Sequence, residues 1–232
     1  MAESMLRQLF VIALAMSLAA CALPPKTVEP QAVDAFPMDW LTAPGEPVAV
    51  NADVSRIDIR VYRAGRLANL GHNHAIEVTG LTGELRRLNS GAAIADLRFR
   101  PDALRVDDPA ARARAGEGFE QAPDERAIAG TRRNMLSEKV LDAENWPEIR
   151  VLARIPSLDI GDAEAQIYFS LRGNGRLMQV PVRIENRNDA IRVHGRLDLQ
   201  QSAFGIEPFS VFGGALAVRD TVEIEFVIAG ER

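Results

Sequence analysis

Met178-Gln179-Val180-Pro181-Val182-Arg183-Ile184-Glu185, then after a short polar break Ile191-Arg192-Val193-His194-Gly195-Arg196-Leu197-Asp198-Leu199, is the stretch that decides the fold class. Apolar residues occupy every second position, with Gly195 the one gap, and the positions between are mostly charged or amide-bearing. Successive side chains of a strand point to opposite faces, so each segment has one apolar and one wet face. Working outward, the same parity joins Ile57, Ile59 and Val61; Leu70, Ile76 and Val78; Ala95, Leu97 and Phe99; and Ile149, Val151, Ala153 and Ile155. It continues in Ile167, Phe169 and Leu171, and closes with Val222, Ile224, Phe226 and Ile228. One-sided alternation is the mark of antiparallel sheets, because parallel strands are apolar on both faces. Asn174-Gly175 predicts a hairpin turn, since both residues tolerate positive φ. The segment from Asn186 to Asp189 predicts a second.

One stretch departs from this period. Ile128, Met135, Leu136 and Val140 recur at roughly helical spacing between Asp124 and Leu141, with Asp124 placed to cap the start. Pro147 ends any such helix before Trp146. The expectation is therefore an all-β domain of about eight strands with one inserted helix. Eight antiparallel strands with one apolar face can close into a barrel with room for a slender ligand. A two-sheet sandwich fits the same period.

Composition narrows the function classes. The chain has 232 residues, 47% of them hydrophobic, with a formal charge of −5. One cysteine excludes an internal disulfide and every multi-cysteine metal cluster. The acidic balance and the 6% aromatic content argue against nucleic acid as a partner.

That cysteine ends the only long apolar run, Leu9 to Ala20. The run is about a dozen residues, short of the roughly 20 a bilayer span requires. Its basic-flanked start, apolar core and small residues are those of a secretory signal. Leu18-Ala19-Ala20-Cys21 resembles the bacterial lipobox, in which the cysteine thiol takes a diacylglycerol and becomes the new N-terminus. The alternative is a plain signal peptide with Cys21 incidental. Residues 1–20 are thus expected as a lipoprotein signal, with Cys21 as the point of lipid attachment. Ala22, in place of the aspartate associated with inner-membrane retention, favours the outer membrane. Residues 21–53 then read as a tether. Six of the 13 prolines, Pro24, Pro25, Pro30, Pro37, Pro44 and Pro47, fall in this stretch, and such density opposes helices and central strands. A random coil of that length spans roughly 30 Å. Phe36, Met38, Trp40 and Leu41 are apolar enough to dock part of it on a domain.

Three histidines are the main chemical candidates. His72 and His74, in Gly71-His72-Asn73-His74, share the parity of Leu70, Ile76 and Val78, and so are expected to point inward near one end of the apolar interior. His194 has the opposite parity to Val193 and is expected to face water. Two imidazoles fall short of the three or four ligands of a stable metal site. No Gly-x-Ser-x-Gly or other nucleophile motif stands nearby. Hydrogen-bonded histidines at a barrel mouth, holding loops or the polar head of a ligand, fit best; a metal-binding or redox-linked role for His72 and His74 is the alternative. Gly213-Gly214 and Gly173-Asn174-Gly175 read as turns, not phosphate cradles. Arg126, Arg132 and Arg133 read as a solvated helix face.

These residues resemble the YceI-like family of bacterial envelope proteins. The resemblance runs through Ser55-Arg56-Ile57, Gly71-His72-Asn73-His74, Arg105-Val106-Asp107-Asp108, Met135-Leu136-Ser137 and Val140-Leu141-Asp142. It continues through Trp146-Pro147-Glu148-Ile149, Ser202-Ala203-Phe204-Gly205-Ile206, Pro208-Phe209-Ser210 and Gly213-Gly214. Leu171-Arg172-Gly173-Asn174-Gly175 departs from the family, which often carries a histidine there. The resemblance implies a lipocalin-like barrel over residues 54–230 with a helical insertion. It also implies a binding protein rather than an enzyme, holding a polyisoprenoid or isoprenoid quinone with no further cofactor. On that reading Ile57, Ile76, Val78, Leu97 and Phe169 line a tunnel, Phe204 and Phe209 wall or gate it, and His72 and His74 stand at its mouth. The expected setting is the periplasmic face of an envelope membrane, with the lipid ligand and the membrane as partners.

Overall fold

A computed structural model describes residues 34–159, 161–187 and 190–231. In chain order, α1 (Met38–Thr42) and β1 (Gly45–Val50) precede β2 (Arg56–Val61), β3 (Arg63–Ala64) and β4 (His74–Val78). A hairpin of β5 (Thr82–Leu88) and β6 (Ala93–Phe99) leads into β7 (Leu104–Val106), α2 (Pro109–Ala115) and α3 (Glu125–Leu136). Four strands then meander: β8 (Ile149–Ile155), β9 (Gly161–Leu171), β10 (Asn174–Arg187) and β11 (Ala190–Gln200). The short β12 (Ser210–Val211) and β13 (Leu216–Val218) come before β14 (Thr221–Glu231).

The hydrogen-bonded order β1-β5-β6-β8-β9-β10-β11-β14 closes on itself through β1 and β14, giving an eight-stranded antiparallel barrel. β14 divides its second edge. Glu223 to Val227 pair with β2, while Gly230 and Glu231 pair with Val50 and Ala49 of β1. β4 and β7 extend the wall beyond β2. The expected parity is the parity found: Ile191, Val193, Leu197 and Leu199 are buried, whereas Arg192, Arg196 and Asp198 are exposed. Ion pairs lace the outer face: Asp96 is gripped by Arg98 of its own strand and by Arg150 from β8, and Arg60 of β2 reaches Glu225 of β14. Gly195 opposes Phe226, and a Cβ at Gly195 would lie 2.3 Å from its ring. The gap in the alternation thus makes room for an aromatic ring inside the barrel.

Several expectations need correcting. The barrel begins inside the stretch expected as tether, because β1 supplies the closing strand. Pro47 sits opposite Arg86, on a strand whose other edge is engaged only at Ala49 and Val50. A residue without an N–H is tolerated on such an edge. Trp40 is buried against Ile94, Leu152 and Tyr168, and Asp34 accepts from the Leu177 N–H. The hairpin turn is one step earlier than expected: Arg172 and Gly173 are its central residues, at φ +51° and +71°, and Asn174 already pairs with Leu171. The helix starts as expected, with the Asp124 carboxylate accepting from Ala127 N–H, but it stops at Leu136. Two further helices were not foreseen; α2 begins with Pro109 after the cap Asp108. Arg132 is not merely solvated, since it donates to the carbonyls of Leu104 and Asp102 and fixes α3 over β7. Leu70 belongs to no strand and is 67% exposed in a 3-10 turn. Cys21 and residues Asn188 and Asp189 of the expected second turn lie outside the described residues.

Candidate ligand tunnel and vestibule

Strand registers give the barrel two ends. One end gathers the close of β2, the start of β4 and β14 and the turn after β9. The other gathers the β5–β6 turn, the end of β8 and the end of β14. A cavity of about 210 Å³ runs between them. Ala93, Ile155, Leu158 and Gly230 line it toward the second end; Met135, Leu141, Leu171 and Ile206 line it toward the first. Ile191 to Leu199 of one wall strand corresponds to about 27 Å of strand at 3.4 Å per residue. Apart from Arg86, Arg87 and Gln201, every lining side chain is apolar or glycine. Of the expected tunnel residues, Ile57, Ile76, Leu97 and Phe169 line this cavity. Val78 is buried in the core but lines neither chamber.

At the first end a second chamber of about 190 Å³ adjoins the tunnel. Val61, Ile76, Met135, Val140 and Gln201 form a common wall. This vestibule carries the polar side chains: Arg63, His72, His74, Thr131, Asn134 and Gln201, with Phe209 beside them. The two imidazoles stand 6.5 Å apart, ring centre to ring centre. Phe204 is elsewhere, 1% exposed beneath the turn after β11, with the Arg176 guanidinium 5.9 Å from its ring centre. His194 is on the outer face, 3.7 Å from Glu185.

His74 is held by Asp107, just past the end of the short strand β7. Asp107 adopts φ +56°, turning its carboxylate back toward β4. One oxygen lies 2.6 Å from His74 Nδ1; the other accepts from the Ala75 N–H at 3.0 Å and from Arg112 at 2.5 Å. Burial pushes the Asp107 carboxyl up, but the hydrogen bonds and charge of His74, the Ala75 amide and Arg112 outweigh it and hold the group below its ordinary range. Arg112 is itself 5% exposed and also donates to the carbonyls of Asn73 and Gln121. Because Asp107 takes the Nδ1 side of the ring, Nε2 is turned into the vestibule, 3.4 Å from Thr131 Oγ1. The site presents an oriented imidazole beside a hydroxyl and an amide, at the end of an apolar bore. Among the described residues, no three His, Cys, Asp or Glu side chains are grouped to hold a metal ion.

Asp107, Arg112, Thr131, Asn134 and Gln201 were all missed by sequence reasoning. Only Asp107 left a trace, as part of Arg105-Val106-Asp107-Asp108.

A closed antiparallel barrel with an apolar bore, and with α3 set over one end of it, defines a lipocalin-like binding fold. The YceI-like domain model matches residues 72–229, and the chain belongs to that family. Among solved structures it resembles Burkholderia cenocepacia BcnA at 13% identity and a TM-score of 0.55, covering 78% of this chain and 98% of that one. It also resembles a polyisoprenoid binding domain from Saccharophagus degradans implicated in plant cell wall breakdown. That match has 11% identity and a TM-score of 0.53, and covers 81% and 99% of the two chains. No curated protein matches significantly.

Proposed function

We propose that this protein binds a long apolar lipid, a polyisoprenoid or isoprenoid quinone, with its tail in the tunnel and its polar head in the vestibule. The observation that carries the reading is the bore itself, apolar along its length apart from Arg86, Arg87 and Gln201, and adjoining the polar vestibule at its first end. Protein interiors are ordinarily packed without voids much larger than a water molecule. At roughly 24 cal/mol per Å³, an unfilled cavity of this size would cost about 5 kcal/mol. That is the order of a whole domain's net stability. A flexible hydrocarbon chain removes that cost and gains about 0.8 kcal/mol per buried CH₂. The polyisoprenoid-binding relative of the same fold supports this ligand class. His74 and its neighbours hold a head group rather than transform it, so the activity is storage, transport or sequestration, not catalysis. The lipobox-like Leu18-Ala19-Ala20-Cys21 supports anchoring through Cys21 at the periplasmic face of an envelope membrane, the outer one favoured. Native mass spectrometry of protein purified without detergent is expected to show a lipid adduct. Addition of a long-chain quinone to delipidated protein is expected to raise its melting temperature. Protein with no adduct and no shift would remove the reading.

A further inference from the structure

We infer that the rim of the vestibule is a membrane-docking surface for an anionic bilayer, formed by residues 63–72 and 207–219. Exposed large apolar side chains are otherwise scattered, but three of them gather here: Leu67, Leu70 and Phe212, at 38%, 67% and 78% exposure. Their two loops are one unit. β3 pairs with β13, and the Leu67 N–H donates to the Ala215 carbonyl at 2.7 Å. Gly65 packs so closely on Gly214 and Ala215 that a Cβ would lie 2.4 Å from the Ala215 oxygen. The bases of both loops line the vestibule through Arg63, Gly71, Phe209 and Leu216, so the apolar tips are continuous with the opening.

Charge indicates what covers them. The whole chain carries −5, yet these two loops carry Arg63, Arg66 and Arg219 against Glu207 alone. Exposed apolar tips with Arg66 beside them and Arg63 and Arg219 at the loop bases match the interface of an anionic bilayer, where rings enter the acyl boundary and cations meet head groups. Phe212 occupies φ +53°, an uncommon conformation for a bulky residue. The backbone at the tip thus holds an aromatic ring where glycine would be more comfortable, between a neighbouring strand and Gly213-Gly214. The docked rim would open the vestibule onto the lipid phase, giving a tail a path from bilayer to tunnel without crossing water. This surface is independent of which lipid the tunnel takes.

The test uses the full chain carrying Cys21→Ser, so that no acyl anchor is present. An environment-sensitive fluorophore is attached at Phe212→Cys and, as a control at the opposite end of the barrel, at Ser90→Cys. With phosphatidylcholine vesicles containing phosphatidylglycerol, the label at 212 is expected to brighten and shift to the blue, and the label at 90 to stay unchanged. In co-sedimentation, Arg66→Gln is expected to lower the vesicle partition coefficient about five-fold. Phe212→Gly, which suits the local backbone and so preserves the fold, is expected to lower it about ten-fold. An unaltered label at 212, or equal changes at 212 and 90, would overturn the proposal. So would a change at 212 that appears with rising protein concentration and no vesicles, since it would assign the rim to a second copy of the chain.

Discussion

The tunnel and the vestibule are of similar size, about 210 and 190 Å³, and they share a wall. They are built in different ways. The tunnel is held by area: apolar side chains, most of them from the barrel strands, each contributing contact and none individually decisive. The vestibule is held by direction, with the Asp107 carboxylate orienting His74 from one side, anchored by the Ala75 amide and Arg112. A chamber of the first kind tolerates changes that conserve volume. One of the second kind fails when a single buried partner is removed.

The sharpest way to break this contrast is Asp107→Ala. It leaves the Arg112 guanidinium buried without its carboxylate, and the expected loss is about 3–5 kcal/mol in urea unfolding. A loss below about 1 kcal/mol would mean that the vestibule is no more exactingly specified than the tunnel. Ala153→Phe attacks the other chamber. Ala153 lines the bore, and the added ring is expected to cost about 1–3 kcal/mol by overpacking while abolishing the lipid adduct in native mass spectrometry. Retention of a full-length lipid by this variant would show that the bore is not the tail site. The smallest effect concerns acid. The folded Asp107 carboxyl lies below its ordinary range, so its contribution is complete above the unfolded value and is lost as pH falls through the folded one. The stability gap between wild type and Asp107→Asn is therefore expected to narrow below about pH 4. A gap independent of pH down to 3, measured by thermal melts, would contradict the carboxylate's role.

The same contrast explains what was legible in the sequence. Tunnel walls follow from parity, a local property, so Ile57, Ile76, Leu97 and Phe169 could be placed inward from their own segments. The pairing of His72 and His74 on one side of the chain was legible for the same reason. The vestibule depends on long-range approach. Asp107 reaches His74 only because β7 pairs with β4 and the chain then turns through positive φ. Thr131 and Asn134 reach the vestibule on α3, more than 50 positions along the chain from His74, and nothing in the intervening residues signals that meeting. β1 was hidden for a further reason. Pro47 within it and Pro44 before it signal extended chain equally well for a free tether and for a strand engaged along one edge, and only the register with β5 distinguishes the two.

The seam between β1 and β14 also ties the barrel to the order in which the chain emerges. Ala49 and Val50 find their partners in Glu231 and Gly230, about 180 positions later, among the last hydrogen-bonding groups of the described chain. Until those residues have been made, the first strand has β5 on one edge and no partner on the other, and β2 and β11 both lack a neighbour. Enclosure of the bore therefore waits on β14. A product interrupted before β14 retains apolar wall strands but no ring, so the enclosed bore arrives all at once, with β14.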